Sequence, residues 1–256
     1  WIFLNDIGTS SSFIGYDCDE SNSMIIKYRE SEGSFEIVLD QTPFYAESGG
    51  QIGDIGVIKG DDFKFIVSDT YKHGDDICHF GSFENGNILQ AKKEKVIAKI
   101  NQNRRKSIQL NHTGTHLLHK ALKIVLGSDV QQAGSLVSYN HLRFDLTYYK
   151  KIKSSELDEI EDIVNEIILK NIILDVNIKK YSDAKSDGAE ALFGEKYGDE
   201  VRVVNINGFS KELCGGTHVK NTSEIGLFKI ISESSLASGV RRIEALTGEY
   251  AFSYFR

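Results

Sequence analysis

Short runs of apolar, β-branched and aromatic residues dominate the first part of the chain, and Gly, Asp and Asn separate them. The clearest runs are NSMIIKYRE, SFEIVLDQ, GVIKG, DFKFIVSD and ICHFGSF. Runs of this length and composition are typical of β-strands, and the residues between them are typical of turns. Many short strands without a helical period predict a small barrel or sandwich over residues 1–95.

The apolar spacing becomes helical after the last of these runs. Over residues 101–126 it predicts one long helix, with its apolar positions at Ile108, Leu110, Leu117, Leu118, Ala121, Leu122 and Val125. Gly127 follows directly and is a candidate for the residue that ends this helix. A second helix is predicted over residues 156–170, where Ser155 and Asp158 resemble a capping box with a shorter acid.

The remaining segments alternate between strands and short helices. LVSYNHLRFDLTYY predicts a hairpin with Asn140 in its turn, and DVNIKKYS predicts a strand. A short helix over residues 184–192 precedes a hairpin in FGEKYGDEVRVVNI, two strands near IGLFKIIS and VRRIEALT, and a last helix capped by Thr247. The sequence therefore predicts an α+β fold, in which residues 96–256 form a second domain with an antiparallel sheet and a long helix.

The composition is ordinary for a protein that folds around a core, with 40% hydrophobic and 26% charged residues. No apolar run approaches the roughly 20 residues of a membrane span, so we expect no membrane partner. Trp1 opens no signal-peptide pattern and the chain does not begin with Met, so we expect a piece of a longer protein. Three cysteines, Cys18, Cys78 and Cys214, do not suit a disulfide framework, which predicts a reducing, cytoplasmic location.

The net charge of -7 argues against broad, non-specific binding to nucleic acid. One local exception is KKEKVIAKINQNRRK, residues 92–106, which carries seven lysines and arginines and one glutamate. Two interpretations of this segment stay open: a patch that holds a phosphate backbone, or the solvated face of a helix.

A glycine-rich segment, FYAESGGQIGDIG, occupies residues 44–56. Its glycines allow positive φ angles and a close approach of the backbone, as in loops that hold phosphates. The segment lacks the lysine of a P-loop, and no helical pattern follows it. We therefore interpret it as a wide turn between strands.

Candidate chemistry begins in the long predicted helix, in NHTGTHLLHKAL. His112 and His116 are four residues apart, so a helix presents them on one face about 6 Å apart, which suits two ligands of one metal. The alternative is that these histidines are exposed, or buried with ordinary partners. Thr113 stands where H-E-x-x-H proteases have their glutamate base, which disfavours protease chemistry. His119 is a candidate for a supporting or a surface residue.

A second pair lies in ELCGGTHV, where two glycines let Cys214 and His218 fold back towards one point. Cysteine and histidine together suit zinc, and the two pairs make a tetrahedral Cys-His₃ set. The alternative is a buried cysteine on a turn beside an unrelated histidine. With four protein ligands no position stays open, so the metal would hold and orient something or be purely structural.

Polar residues near these pairs suggest what the site recognises. Thr115 adjoins His116, and in QQAGSL the side chains of Gln132 and Ser135 flank Gly134. Hydroxyls and an amide without a nucleophilic triad favour recognition of a small polar group and of a water.

Six segments, in order over nearly the whole chain, resemble the internal editing region of alanyl-tRNA synthetases. They are DQTPFYAESGGQIGDIG, NHTGTHLLHKAL, VQQAGSLVSYNHLRFD, ALFGEKYGDEVRVV, FSKELCGGTHVKNTSEIGLFKIISESS and GVRRIEALTG. The pairing of H-x-x-x-H with C-x-x-x-H is also similar to free-standing alanyl editing proteins, and the editing domain of threonyl-tRNA synthetase has a related fold.

The resemblance implies a small β-barrel followed by an editing core that hydrolyses Ser-tRNA(Ala) and Gly-tRNA(Ala), with tRNA(Ala) as partner. Matched to the family motifs, the zinc ligands would be His112, His116, Cys214 and His218. The pocket that senses the serine hydroxyl and positions a water would be lined by Thr115, Gln132 and Ser135. The aminoacylation domain and the C-terminal domain of the family have no counterpart in this chain.

Such editing has a physical reason. A pocket that selects alanine excludes the smaller glycine poorly and discriminates imperfectly against serine, so a second pocket is needed to remove these two amino acids. Two other functions stay open. One is a tRNA-binding module with a structural zinc and little hydrolysis in isolation. The other is a metalloprotease or another zinc hydrolase, which the missing glutamate disfavours.

Overall fold

The computed structural model describes residues 1–5, 11–91, 95–191 and 197–256. These residues form two compact units, one comprising Trp1–Ser48 and Ile52–Arg105, the other Gly49–Gln51 and Lys106–Arg256. Within the described ranges, no helix is both long and apolar enough to cross a membrane. The two units are described separately below.

The first unit is built from β-strands, as predicted. In chain order they are β1 Ile2–Phe3, β2 Ser12–Phe13, β3 Glu20–Ser31, β4 Ser34–Leu39, β5 Gln41–Thr42, β6 Gly56–Lys59, β7 Lys64–His73, β8 Asp76–Asn85 and β9 Lys95–Ile100. A short 3₁₀ helix, Ile88–Ala91, precedes the last strand.

Strand β3 closes this unit into a barrel, because it pairs with β4 on one side and with β9 on the other. The order β3-β4-β8-β7-β6-β9 therefore returns to its start, and every neighbouring pair is antiparallel. Closure leaves the barrel strands without an open edge. The interior is filled by apolar side chains, among them Ile25, Ile37, Leu39, Phe44, Ile58, Phe65, Val67, Val96, Ala98 and Ile100.

In its described part, the basic segment at residues 92–106 comprises strand β9 and the first turn of a long helix that begins at Gln102. Lys95–Ile100 is strand β9, whose residues alternate between surface and interior, with Val96, Ala98 and Ile100 buried. Lys99 pairs with Glu20. Lys106, in the second unit, pairs with Glu224. The first three residues of the segment lie outside the described residues.

Two antiparallel sheets and four helices make up most of the second unit. Its elements are α1 Gln102–Leu126, which begins in the first unit, β10 Gln132–Val137, β11 Leu142–Thr147, α2 Ser154–Leu169, β12 Leu174–Lys180, α3 Tyr181–Ser186, β13 Glu200–Ile206, β14 Ser210–Leu213, β15 Phe228–Ala237, β16 Val240–Thr247 and α4 Gly248–Tyr254. The sheet orders are β10-β11-β16-β15 and β12-β13-β14. The predicted α+β fold with a barrel is confirmed, whereas the domain boundary after residue 95 stays a prediction.

One core joins the long helices to the four-stranded sheet. The apolar face of α1 contributes Leu117, Leu118, Ala121 and Leu122, and α2 contributes Ile160, Val164, Ile167 and Ile168. Phe144 of β11 and Ile243 of β16 meet them and are fully buried. The face of α1 that carries its histidines is thereby fixed, because rotating the helix would expose this apolar stripe.

The predicted helix ends differ from the observed ones in detail. Helix α2 begins earlier than predicted, and the backbone N–H of Lys153 donates to the Glu156 carboxylate at 2.7 Å. The predicted capping box of Ser155 and Asp158 is therefore wrong, because a closer acid takes that role. Thr247 does precede α4, but its hydroxyl donates to the side chain of Asn111 instead of capping the helix.

The short helix predicted over residues 184–192 is observed as α3, at residues 181–186. Residue 192 lies outside the described residues, as do residues 193–196 of the hairpin predicted to follow. The rest of that hairpin contains β13, which pairs with β12 and β14.

A buried ion pair ties the glycine-rich segment to the end of the first unit. The guanidinium of Arg105 donates to the carboxylate of Asp54, and to the carbonyls of Gly15 at 2.7 Å and Pro43 at 2.8 Å. The backbone N–H of Tyr45 also donates to Asp54, at 2.7 Å. Neither charge reaches water, so each depends on these partners.

Replacing Asp54 tests this pair. We expect Asp54→Asn to lower the free energy of unfolding by about 3–5 kcal/mol, because it leaves the Arg105 charge buried without a counterion. Urea unfolding followed by the fluorescence of Trp1, the one tryptophan of the chain, measures the loss in this unit. The matched control is Glu20→Gln, which breaks the exposed pair with Lys99 and should cost nothing measurable. Equal effects of the two substitutions would contradict the argument.

His79 of β8 makes the stability of the barrel depend on pH. Its ring is held between Thr42 at 2.8 Å and the carbonyl of Ile37 at 2.8 Å, and burial lowers its pKa from 6.5 to about 4. The unfolded chain therefore takes up a proton between these values and the folded chain does not. We expect the free energy of unfolding to fall by about 3 kcal/mol as the pH drops from 6.5 to 4. Urea unfolding of His79→Gln over the same range should show a smaller fall, and identical curves would contradict the assignment.

Candidate metal centre

Helix α1 supplies two of the four predicted ligands. His112 and His116 are one turn apart, 5% and 4% exposed, with ring centroids separated by 5.4 Å. The adjoining residues Leu117 and Leu118 are fully buried in the core. The packing of α1 therefore turns both imidazoles inward.

The loop after β14 supplies the other two ligands, Cys214 and His218. One side chain, Arg202 of β13, holds this loop by donating to the carbonyls of Cys214 and Gly216, both at 2.9 Å. Gly216 is required where it stands, because a Cβ atom there would lie 2.0 Å from the His112 ring. The backbone N–H of Gly216 also points to the Cys214 sulfur, at 3.4 Å.

These four side chains converge on one point. The Sγ atom of Cys214 lies 3.3 Å from Nε2 of His112 and 3.2 Å from Nε2 of His218. All four ligand atoms, including that of His116, lie within 4.8 Å of one another. Ligands of a tetrahedral zinc are about 3.5 Å apart, given metal distances of about 2.3 Å to sulfur and 2.1 Å to nitrogen. The residues present therefore fit a zinc ion, and their role as ligands stays a prediction.

Burial keeps the three imidazoles neutral. It lowers the pKa of His112, His116 and His218, and the neighbouring imidazoles lower the pKa of His112 and His218 further. A neutral imidazole has a free lone pair on one nitrogen, which is the form that binds a metal.

The nitrogen that faces away from the centre has a polar neighbour in each ring. Nδ1 of His112 lies 2.7 Å from Oε1 of Gln51, and Nδ1 of His218 lies 3.1 Å from the Thr113 hydroxyl. Nδ1 of His116 lies 3.4 Å from the carboxylate of Glu212, at an angle that does not make a hydrogen bond. Such partners fix which nitrogen is available to a metal.

Glu212 extends this arrangement to the third histidine of α1. Its carboxylate is also 3.3 Å from Nδ1 of His119 and accepts a hydrogen bond from Ser210 at 3.1 Å. Burial by itself would raise the pKa of Glu212, but the imidazoles of His116 and His119 and the Ser210 hydroxyl lower it to about 2. The centre therefore has a buried anion beside its histidines.

The sequence contained weak signals for these supporting residues. Thr113 directly follows a candidate ligand, but in the sequence it indicates only that the glutamate base of a protease is missing. Glu212 lies two residues before Cys214, where its spacing matches no ligand motif. Gln51 lies in the segment interpreted as a wide turn, and no local pattern connects it with His112.

The three predicted pocket residues lie on two elements of the second unit. Thr115 is on α1, and its hydroxyl donates to the carbonyl of Asn111 at 2.8 Å. Ser135 is in β10 and lies against Gly50. A Cβ atom added to Gly50 would be 2.8 Å from the carbonyl oxygen of Ser135. Gln132 begins β10 and lines a cavity of about 250 Å³ together with His119. Their roles stay predictions.

Two family models match the chain. The model described as "Threonyl and Alanyl tRNA synthetase second additional domain" matches residues 201–244, which include Glu212, Cys214 and His218. The model described as "tRNA synthetases class II (A)" matches residues 4–104, which include most of the first unit.

Nearly the whole chain is similar to alanine–tRNA ligases. It is 50% identical to that of Fervidobacterium nodosum, over 98% of this chain and 30% of the relative. It is likewise 50% identical to that of a Thermoanaerobacter species and 47% identical to that of Thermotoga maritima, over 29% of each relative. The chain thus spans less than a third of the length of these proteins.

Metal analysis tests the ligand set. We expect the purified chain to hold one zinc ion, and Cys214→Ser to weaken zinc binding on the order of 100-fold, since four ligands share about 10–16 kcal/mol. Competition with a coloured chelator gives the affinity. Cys18→Ser is the matched control, because Cys18 is not one of the candidate ligands. Its thiol donates a hydrogen bond to the carbonyl of Ile14 in the first unit. Equal zinc affinities of the two variants would exclude Cys214 as a ligand.

Proposed function

Because this chain belongs to the alanyl-tRNA synthetase family over nearly all of its length, we propose that it is the editing part of such an enzyme. Its reaction is the hydrolysis of the ester bond in Ser-tRNA(Ala) and Gly-tRNA(Ala), which releases the wrong amino acid from the tRNA. The observation that carries this proposal is the convergence of Cys214 and three histidines, two of these ligands lying within the segment that matches the tRNA synthetase second additional domain.

The resident metal of this proposal is zinc, held by His112, His116, Cys214 and His218. When bound, the ion would supply a positive charge and Lewis acidity where the four side chains meet. The residues around it hold the ligands: Gln51, Thr113 and Glu212 face the outer nitrogens of the three imidazoles. The protein thereby keeps a fixed, largely buried surface against which the end of a tRNA is oriented.

Recognition of the amino acid falls to Thr115, Gln132 and Ser135. Thr115 adjoins the ligand His116 on α1, and Ser135 contacts the backbone that leads into Gln51. A protein hydroxyl that forms a hydrogen bond with the serine hydroxyl discriminates against alanine. When an alanyl ester is bound, the protein hydroxyl has no hydrogen-bond partner. This discrimination amounts to about 1–3 kcal/mol. Gln132 is proposed to position the attacking water from its cavity beside His119.

A tRNA-binding module with a purely structural zinc is the second candidate. The observation that favours it is the number of candidate ligands: four protein atoms converge, and together they would fill every position of a tetrahedral ion, as in structural zinc sites. The two candidates differ in whether the chain turns over an ester, so a hydrolysis assay separates them.

Deacylation of three aminoacyl-tRNAs tests the proposal. We expect the chain to release serine from Ser-tRNA(Ala) roughly 5- to 100-fold faster than alanine from Ala-tRNA(Ala), which is 1–3 kcal/mol expressed as a rate. Gly-tRNA(Ala) is the third substrate. Intact alanyl-tRNA synthetase is the positive control, since the chain spans 30% of its relatives. Equal release of serine and alanine would exclude editing.

Gln132→Ala then separates hydrolysis from binding. Loss of hydrolysis with unchanged affinity for tRNA(Ala) supports the deacylase and contradicts the module. The matched control is Gln41→Ala, which removes an amide that donates to the carbonyl of Asn22 in the first unit. An unchanged rate in Gln132→Ala would remove Gln132 from the catalytic set.

A further inference from the structure

Gln51 is the residue of the glycine-rich segment that enters the candidate metal centre. It belongs to the second unit, whereas the chain before Gly49 and after Gln51 belongs to the first. Its side chain is completely buried, although glutamine is a residue type that is mostly exposed. A buried amide of this kind is retained where its hydrogen bonds have a specific use.

The contacts of Gln51 fix the orientation of its amide. The backbone N–H of Thr217 donates to Oε1 of Gln51 at 2.9 Å, and Nε2 of Gln51 donates to the Thr217 hydroxyl at 3.0 Å. A backbone N–H can only donate, so the atom that faces it must be the amide oxygen. The orientation thus follows from the chemistry of Thr217 and does not depend on any histidine.

The fixed oxygen in turn determines the tautomer of His112. Oε1 of Gln51 lies 2.7 Å from Nδ1 of His112, and a carbonyl oxygen can only accept, so Nδ1 must carry the hydrogen. The lone pair is then on Nε2, which is the nitrogen 3.3 Å from the sulfur of Cys214. In free histidine either nitrogen can hold the proton, so this selection needs a partner.

The surrounding backbone packs closely against the pair. A Cβ atom on Gly216 would lie 2.0 Å from the His112 ring and 2.9 Å from Oε1 of Gln51. On the other side, the carbonyl of Gly50 accepts a hydrogen bond from the N–H of Val137 at 2.7 Å. The amide is therefore held between β10 and the ligand loop.

We propose that Gln51 is a positioning residue for the metal ligand His112, acting through its amide oxygen. The inference rests on the proposed metal site but not on ester hydrolysis. The segment Gly49–Gln51 is then part of the metal centre and not only a wide turn between strands. Thr113 and Glu212, the neighbours of the other two imidazoles, both lie within residues 106–256. Gln51 alone of the three comes from the earlier part of the chain.

Two substitutions separate the amide oxygen from the volume that it fills. Gln51→Met keeps the length of the side chain and removes the acceptor, and we expect it to weaken zinc binding roughly 10- to 100-fold. Gln51→Glu keeps an acceptor towards His112 and Thr217, and should bind zinc at least as tightly as the unchanged chain. Chelator competition measures the affinities, and Gln41→Met, in β5 of the first unit, is the control. Unchanged affinity in Gln51→Met would overturn the proposal.

Nitrogen-15 NMR of the imidazoles in the unsubstituted, metal-free chain provides a second test that needs no variant. We expect the His112 ring as the tautomer protonated on Nδ1, and a ring protonated on Nε2 would overturn the proposal even if the variants fail to fold. The outcomes also separate the two proposals. A chain that hydrolyses no ester but loses zinc affinity in Gln51→Met supports this inference and contradicts editing, and the reverse result contradicts this inference alone.

Discussion

A buried imidazole that turns one nitrogen towards a metal must give the hydrogen on its other nitrogen to a partner inside the protein. Water cannot take that hydrogen at His112 and His218, because neither is more than 8% exposed. The candidate centre therefore needs a second set of residues as specific as the ligands. That requirement explains why Gln51 and Thr113 are buried despite being polar.

The convergence of the four candidate ligands could be predicted from the sequence because each pair is local. Two histidines one helical turn apart, and a cysteine and histidine separated by glycines, already carry their geometry in their spacing. Their partners carry no such information, since Gln51 and His112 are 61 residues apart and Thr113 and His218 are 105 apart. Only the tertiary fold brings these pairs together. Local motifs in a single sequence give no information about contacts between residues so far apart in the chain.

The fold was predictable where one period dominates a segment, as in α1 and in the barrel strands β3, β4 and β7. The fold was less predictable where charged residues between the apolar positions mask the alternating pattern of a strand. Lys95–Ile100 lies within a basic segment, although its apolar residues Val96, Ala98 and Ile100 recur at every second position and its strand closes the barrel. The capping errors have another cause: several acceptors near a helix end can serve, and packing selects one of them.

The detour of the chain at Gly49–Gln51 limits how this protein can be divided in evolution. A recombination event that transferred only residues 106–256 to another gene would carry all four metal ligands and omit the amide beside His112. The graft would look complete in any comparison of ligand motifs. A transfer that kept the whole candidate centre would therefore have to include Gly49–Gln51 together with residues 106–256.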